Sequence, residues 1–257
     1  MQADLIEIFS SLQGEGLHVG RSTLFVRFAR CDLRCGWCDS PHTWKAARTC
    51  RIETQAGSGL FHEVDSPVSL ETIESALEAL DLKRHRFLSL TGGEPLLQPR
   101  VVGALAGWAR QRFVPVYLET HGLAVGALAE VVEWVDVVAM DWKLASDVRR
   151  ESDRRGAPVR EFHDDHERFL RTARRAGEVF VKVVLTPSTL EREIDEMCRR
   201  IAACAPDTPL ILQPVTPFAR VECAPQPEQL LAWLQRCEAK LSDVRLIPQT
   251  HKLVGVQ

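Results

Sequence analysis

The decapeptide CDLRCGWCDS, residues 31–40, carries three cysteines in a C-x3-C-x2-C arrangement, followed by an aspartate and a serine. Three thiolates this close in sequence can surround one small metal centre, and soft sulfur ligands favour zinc or an iron–sulfur cluster. Both centres have four ligand positions, so the motif leaves one of them to another group. The identity of that fourth ligand decides what the motif does.

A structural zinc site is the simplest interpretation of the three cysteines. The neighbouring Cys50 and His42 are the local candidates for its fourth ligand. Structural zinc sites usually draw paired ligands from two separate knuckles, and the sequence offers no second closely spaced pair. The spacing therefore favours an iron–sulfur cluster, while a non-catalytic zinc module stays open as an alternative.

Apolar segments and helical patterns alternate along the 257-residue chain. Short apolar runs predict strands buried on both faces, and amphipathic spacing predicts helices between them. The six strands are expected at residues 23–29, 86–90, 114–118, 135–139, 179–184 and 210–212, and the helices at 70–80 after a Ser69 cap, 101–110, 167–176, 190–202 and 228–241. This alternation predicts an α/β protein with a parallel sheet, a partial (β/α)6 TIM-like barrel. Chemistry in such folds collects at the carboxyl ends of the strands.

Length and composition predict one domain over residues 1–257, because 45% hydrophobic residues suffice for one substantial core. Two segments interrupt the alternation, an insertion at about residues 42–66 and a polar connection at 146–165. The net charge of −3 gives no overall basic surface for nucleic acid. The chain has neither a signal-peptide pattern nor an apolar run near the ~18 residues of a membrane span. We therefore expect a cytoplasmic protein without nucleic-acid or membrane partners.

Two motifs together resemble the hallmarks of the radical S-adenosylmethionine (SAM) enzymes. The first is the cysteine motif with Trp37 before Cys38, and the second is Thr91-Gly92-Gly93-Glu94-Pro95 after the second predicted strand. Alone, the second motif also fits an ordinary strand-to-helix turn. In this family three cysteines bind three irons of a 4Fe–4S cluster, and SAM chelates the fourth iron through its amino and carboxylate groups. The resemblance thus implies that SAM is the missing ligand and that its reductive cleavage yields a 5′-deoxyadenosyl radical.

Further segments resemble one branch of that family, the 7-carboxy-7-deazaguanine synthases. These segments are Ser11-Leu12-Gln13-Gly14-Glu15-Gly16, Arg27, Cys38-Asp39-Ser40, residues 90–98, Glu119-Thr120-His121-Gly122, Gln213-Pro214 and Gln249-Thr250-His251-Lys252. The resemblance implies a radical ring contraction of 6-carboxy-5,6,7,8-tetrahydropterin to 7-carboxy-7-deazaguanine with loss of ammonia, a lyase reaction of queuosine or other deazapurine synthesis. It also implies bound Mg²⁺, an electron donor such as a flavodoxin, and a homodimer.

The resemblance also assigns roles to individual residues. Cys31, Cys35 and Cys38 would hold the cluster, and the Ser40 hydroxyl would bind Mg²⁺ where the family usually has threonine. The SAM-binding residues would be Trp37, Cys38, Asp39, Gly93, Glu119 and Lys143. The substrate-binding residues would be Leu12, Gln13, Gly14, Arg27, Thr91, His251 and Gln257, the last through its α-carboxylate. No residue is assigned as a catalytic acid or base.

The C-terminal segment, residues 249–257, is expected to fold back over the active site as the tail of that family does. Its apolar residues Leu253, Val254 and Val256 suggest a docked segment, whereas chain ends are ordinarily frayed. The sequence therefore predicts a tail that closes the pocket.

At several of these positions the residue types alone allow a second interpretation. Arg27 interrupts an apolar strand and needs an anion, either a substrate carboxylate or a buried structural one. The SLQGEG segment also fits a common glycine-rich turn. Glu119 also fits a carboxylate that only contacts solvent. Met140-Asp141-Trp142-Lys143 departs from the Ser-Pro-Lys of the family, matches it only at Lys143, and resembles a segment of glycyl-radical activating enzymes. Such an activating enzyme is the second alternative.

Overall fold

A computed structural model describes residues 1–154, 156, 158, 160–218 and 221–256. The strands are β1 (Gln2–Ala3), β2 (Leu5–Leu12), β3 (Ser22–Phe28), β4 (Leu33–Cys35), β5 (Thr49–Glu53), β6 (Phe61–Asp65), β7 (Val68–Ser69), β8 (Phe87–Gly92), β9 (Val116–Thr120), β10 (Val137–Asp141), β11 (Val148–Arg150), β12 (Glu178–Leu185), β13 (Leu210–Pro214) and β14 (Val244–Leu246). The α-helices are α1 (Leu70–Ala79), α2 (Pro99–Gln111), α3 (Val125–Val131), α4 (His163–Ala173), α5 (Glu191–Cys204), α6 (Pro227–Glu238) and α7 (Thr250–Val254). Short 3-10 helices lie at Gly16–His18, Pro41–Trp44, Leu82–Arg84, Pro95–Leu97 and Val132–Trp134.

The main sheet has the strand order β14-β13-β12-β10-β9-β8-β3-β2-β5-β6. Seven of its strands, β3, β8, β9, β10, β12, β13 and β14, lie side by side and parallel in chain order. One helix of the series α1–α6 connects each of them to the next. The six predicted strands correspond to β3, β8, β9, β10, β12 and β13, each followed by a helix. The predicted partial (β/α)6 barrel is confirmed.

Some elements of the sheet were not predicted from the sequence. Strand β2 pairs antiparallel with β3, and the hairpin β5–β6 inside the expected insertion extends the sheet beyond β2. Strands β5 and β6 carry exposed polar side chains, so a search for continuous apolar runs does not detect them. Helix α3 is short, and it too was not predicted. The insertion therefore contributes two strands rather than an irregular loop.

Predicted helix boundaries agree closely with the structure at the first helix. The Ser69 hydroxyl accepts a hydrogen bond from the backbone N–H of Thr72 (3.1 Å), which satisfies one of the unpaired donors at the start of α1. No helix in the described part of the chain is long and apolar enough to cross a membrane.

Large side chains fill the amino-terminal half of the barrel interior. The cluster consists of Phe87, Tyr117, Val137, Ala139, Phe180 and Ile211, with Leu17 and Ile247 packed against it. These residues lie in the first half of their strands, so the interior remains open only towards the carboxyl ends. The packing therefore confines any site to that end of the barrel, as the fold class predicts.

Candidate active site

A pocket opens at the carboxyl ends of the parallel strands. The three motif cysteines, Trp37, Gly93 and Lys143 are among its lining residues. A neighbouring recess shares Gln13, Arg27 and Thr91 with it and is further lined by Leu12, Gly14 and His251. The structure thus brings together the predicted site residues from distant parts of the chain.

The cysteine loop is held by a two-stranded ribbon, in which β4 pairs antiparallel with β11. Burial raises the pKa of Cys31 to about 11 and that of Cys35 to about 12, and it also raises the pKa of Cys38. Thiols buried in this way ionise readily only beside a cation, and metal binding deprotonates them. Three such thiols in one pocket wall fit an iron–sulfur cluster.

The arrangement of the sulfurs differs from that of a single-ion site. Among the described residues, no group of three His, Cys, Asp or Glu side chains converges closely enough to hold one metal ion. In a four-iron cluster each thiolate binds a different iron, so its cysteines need not converge on a point. Cys50, a candidate fourth zinc ligand, lies on β5 in the main hydrophobic core.

The TGGEP segment packs tightly against the start of the cysteine loop. A Cβ atom at Gly92 (φ +129°) would lie 2.4 Å from the backbone nitrogen of Phe28, and one at Gly93 would lie 2.0 Å from the carbonyl oxygen of Arg30. The backbone N–H of Gly93 donates to the Phe28 carbonyl (2.9 Å). Glycine is required at both positions because the backbones meet there. The two hallmark motifs are therefore one structural unit.

Glu94, a residue without a predicted role, connects that unit to the end of β9. Its side chain is fully buried and accepts hydrogen bonds from the Thr120 hydroxyl (2.8 Å) and the backbone N–H groups of Leu96 (2.9 Å) and His121 (2.8 Å). Each of these bonds joins a charged acceptor to a buried donor, which makes them among the stronger kinds. Glu94 thus orders the pocket edge rather than lining the pocket.

Glu119 is held by three side-chain donors. Its Oε1 accepts hydrogen bonds from Gln13 (3.0 Å) and Ser89 (2.8 Å), and its Oε2 accepts one from Thr91 (3.1 Å). The alternative of a solvated carboxylate is therefore wrong, because neighbouring strands supply donors that the sequence does not place together. The contact also brings SLQGEG into the pocket through the buried Gln13, so that segment is more than a surface turn.

Arg27 forms the buried ion pair that was one of its two predicted roles, and it also borders the pocket. Its Nε donates to Glu7 Oε1 at 2.8 Å, and its guanidinium lies 5.4 Å from the centre of the Phe9 ring. Arg27 also lines both the pocket and the recess. A structural ion pair is thus present, and the same guanidinium faces the space where a ligand would bind.

A network of opposite charges lies at the pocket floor. Lys143 Nζ donates to Asp141 Oδ2 (2.8 Å) and lies 4.5 Å from the centre of the Trp37 ring. Lys182 pairs with Glu15 and lies 3.2 Å from Asp141 Oδ1. Burial lowers the pKa of Lys182, but Asp141 and Glu15 outweigh burial, so the pKa is raised and the ammonium stays charged. Lys182 was not predicted as a site residue, although a lone charge in an apolar strand is the signal that identified Arg27.

Asp39 links the cysteine loop to the C-terminal segment. Its Oδ1 accepts a hydrogen bond from the Ser40 hydroxyl (3.1 Å), and its Oδ2 accepts from Lys252 Nζ (2.9 Å) and Gln249 Nε2 (3.2 Å). Burial acts to raise the pKa of Asp39, but Lys252 and these hydrogen bonds lower it to about 2. Gln249 also donates to Glu15 (2.7 Å), so its side chain joins the cysteine loop to the SLQGEG segment.

The C-terminal segment lies on SLQGEG through polar contacts. The backbone N–H of Thr250 donates to the Gly14 carbonyl (2.9 Å), and a Cβ atom at Gly14 would lie 2.0 Å from His251 Nδ1. Leu253 and Val254 are 75% and 61% exposed, so the expectation of an apolar docking face is wrong. The contacting side chains are the polar residues at the start of α7, Gln249, Thr250, His251 and Lys252. Gln257 lies outside the described residues.

Comparisons with known proteins agree with this site. The sequence profile of the radical SAM superfamily matches residues 25–204, from the first parallel strand to the end of α5. The solved structure of QueE from Escherichia coli has a similar fold, with a TM-score of 0.62 at 21% identity, over 97% of this chain and 94% of that chain. The chain therefore belongs to the radical SAM superfamily, whose cofactors are a 4Fe–4S cluster and SAM.

The relatives that match over nearly the full length define the branch. A curated 7-carboxy-7-deazaguanine synthase from Geobacter sulfurreducens is 38% identical over 98% of this chain and 97% of its own length. Another from Methanopyrus kandleri is 33% identical over 98% of this chain and 93% of its own length. The chain belongs to the 7-carboxy-7-deazaguanine synthases. The prediction that the chain is an enzyme of this family is confirmed. Family membership does not favour the two alternatives, a glycyl-radical activating enzyme and a zinc module.

Proposed function

We propose that this chain converts 6-carboxy-5,6,7,8-tetrahydropterin into 7-carboxy-7-deazaguanine with loss of ammonia. The observation that carries the proposal is the continuity between the cysteine pocket and the recess beside it. The three motif cysteines line the pocket, and the recess offers an arginine, hydroxyls and an amide suited to a polar, carboxylated ring system. Family membership supports the same reaction.

The residues around the cysteines would hold the cofactors. Cys31, Cys35 and Cys38 would bind three irons, and the bound cluster with SAM would supply a hydrogen-abstracting radical. Trp37, Cys38, Asp39, Gly93, Glu119 and Lys143 would contact SAM. The buried Lys143 ammonium and the Trp37 ring already lie together in the pocket, which supports a shared role there.

The residues of the recess would orient the substrate. The Arg27 guanidinium would pair with the pterin carboxylate, for which its planar, always charged group is well suited. Gln13 and Thr91 are held by Glu119, so their remaining hydrogen-bonding capacity has a defined direction. Leu12, Gly14, His251 and Gln257 would complete the substrate site.

Anaerobic incubation of the reconstituted enzyme with SAM, a reductant and the carboxypterin tests the proposal. We expect 7-carboxy-7-deazaguanine and ammonia to form in equal amounts, measured by chromatography with mass detection. The same incubation with Arg27→Met should retain the cluster and lose most turnover. Cleavage of SAM with no deazapurine from the wild-type enzyme would contradict the proposed substrate.

Ser40 is the proposed protein ligand of Mg²⁺. A hard cation prefers oxygen ligands and keeps several waters, so one hydroxyl beside Asp39 can suffice. We expect turnover to rise with added Mg²⁺. Ser40→Ala should lower the turnover measured with Mg²⁺ about tenfold, whereas Ser40→Thr should retain it. Iron content is the control, because the substitutions should leave it unchanged. Turnover insensitive to both chelation and Ser40→Ala would exclude this role.

We further propose a homodimer in the cytoplasm that receives electrons from a donor such as a flavodoxin. Residues 1–257 would form one domain in which the hairpin at 42–66 is an insertion and the C-terminal segment closes the active site. The hydrogen bonds of residues 249, 250 and 252 to the SLQGEG and cysteine loops support that last point.

A further inference from the structure

The Met140–Lys143 segment at the end of β10 is bound by two histidines of α4. His163 and His166 are three residues apart, so their side chains share one face of the helix. Both are buried, at 7% and 0% exposure. Trp142, also buried, lies between them and the strand end, with its ring centre 4.9 Å from that of His166. The two histidines are therefore part of the wall behind the pocket.

The hydrogen bonds of His166 define its state. Its Nε2 accepts from the backbone N–H of Lys143 (2.8 Å), a group that can only donate. Its Nδ1 then carries the proton and donates to the Gly122 carbonyl (2.9 Å). Burial lowers the pKa of His166 well below its usual value, which agrees with a neutral ring. His166 thus joins the loops that follow β9 and β10.

Two further contacts immobilise the residue before Lys143. The Trp142 indole N–H donates to His163 Nδ1 (3.1 Å), and the Trp142 backbone N–H donates to the Lys182 carbonyl (2.7 Å). With its backbone fixed, Lys143 reaches into the pocket, where its ammonium meets Asp141 and the Trp37 ring. Trp37 directly precedes Cys38, so this chain of contacts runs from α4 to the cysteine loop.

We propose that His166, supported by His163, is a positioning residue that holds Lys143 against Trp37 and so sets the affinity for SAM. The inference rests on the proposed role of Lys143 in SAM binding. An ordinary pair of core histidines would contribute stability alone. If His166 positions Lys143, its replacement weakens SAM binding only because Lys143 is displaced.

A double-mutant cycle on the reconstituted, anaerobic enzyme separates the two roles. We expect His166→Phe and Lys143→Met each to weaken SAM binding about tenfold, as loss of one buried charged contact does, measured by calorimetric titration. The double variant should bind SAM no more weakly than Lys143→Met alone. His166→Gln, which offers both an acceptor and a donor, should recover much of the affinity.

The matched control is Ala173→Gly, a substitution at the buried end of the same helix, two turns from His166, that lowers thermal stability. It should leave SAM affinity unchanged, and its melting temperature calibrates the loss of stability in the histidine variants. If His166→Phe melts earlier yet binds SAM normally, or if its effect adds fully to that of Lys143→Met, the positioning role is wrong. If the wild type binds SAM but makes no deazapurine, the proposed function fails while this binding test still stands.

Discussion

Replacement of Cys31, Cys35 or Cys38 with alanine is expected to abolish both the cluster and SAM cleavage. Three thiolates are the full set of protein ligands for a cube with one open iron, so two cannot hold it stably. Wild-type enzyme reconstituted without oxygen should contain about four irons and four sulfides per chain. Metal and sulfide analysis, the visible absorption of the cluster and the formation of 5′-deoxyadenosine measure the result.

Cys50→Ala is the matched control for these variants. Cys50 is fully buried in the main core on β5, away from the cysteine loop, and a change from thiol to methyl there alters packing only slightly. It should keep iron content and SAM cleavage. A full cluster in any of the three loop variants, or loss of the cluster in Cys50→Ala, would show that the ligands were assigned wrongly.

Truncation after Gln249 is expected to raise the KM for the pterin more than tenfold while uncoupled SAM cleavage persists. The deletion removes the hydrogen bond from Thr250 to Gly14, the contact of His251 with that glycine and the ion pair between Lys252 and Asp39. The recess then opens towards solvent, but the cysteine loop keeps its β4–β11 ribbon. Steady-state kinetics of product and of 5′-deoxyadenosine separate these effects.

Point variants identify which contact matters in the tail. Lys252→Met should raise the KM for the pterin less than the truncation does, because Thr250 and His251 still contact Gly14. Leu253→Ala is the control, since that side chain is 75% exposed and should tolerate the change. Normal KM values in the truncated enzyme would mean that residues 250–256 are only surface.

The parallel strands and the cluster motif were predictable because their signals are local. A strand buried on both faces needs a continuous apolar run, and β3, β8, β9, β10, β12 and β13 all have one. The cysteine ligands are close in sequence, so their spacing alone indicates a metal centre. Strands β5 and β6 lack such a run, because half of their side chains face water, and they were missed.

The order of strands and helices, the metal motif and the family could all be predicted from the amino-acid sequence. The pairing of charges from separate strands and loops became visible in the folded chain, as for Lys182 with Glu15 and Asp141, Glu119 with Gln13, and Asp39 with Lys252. The folded chain also shows that the C-terminal segment docks through polar side chains rather than its apolar ones. The physical reason is that strand periodicity is a local property, whereas a buried charge acquires its partner only when distant segments of the chain come together.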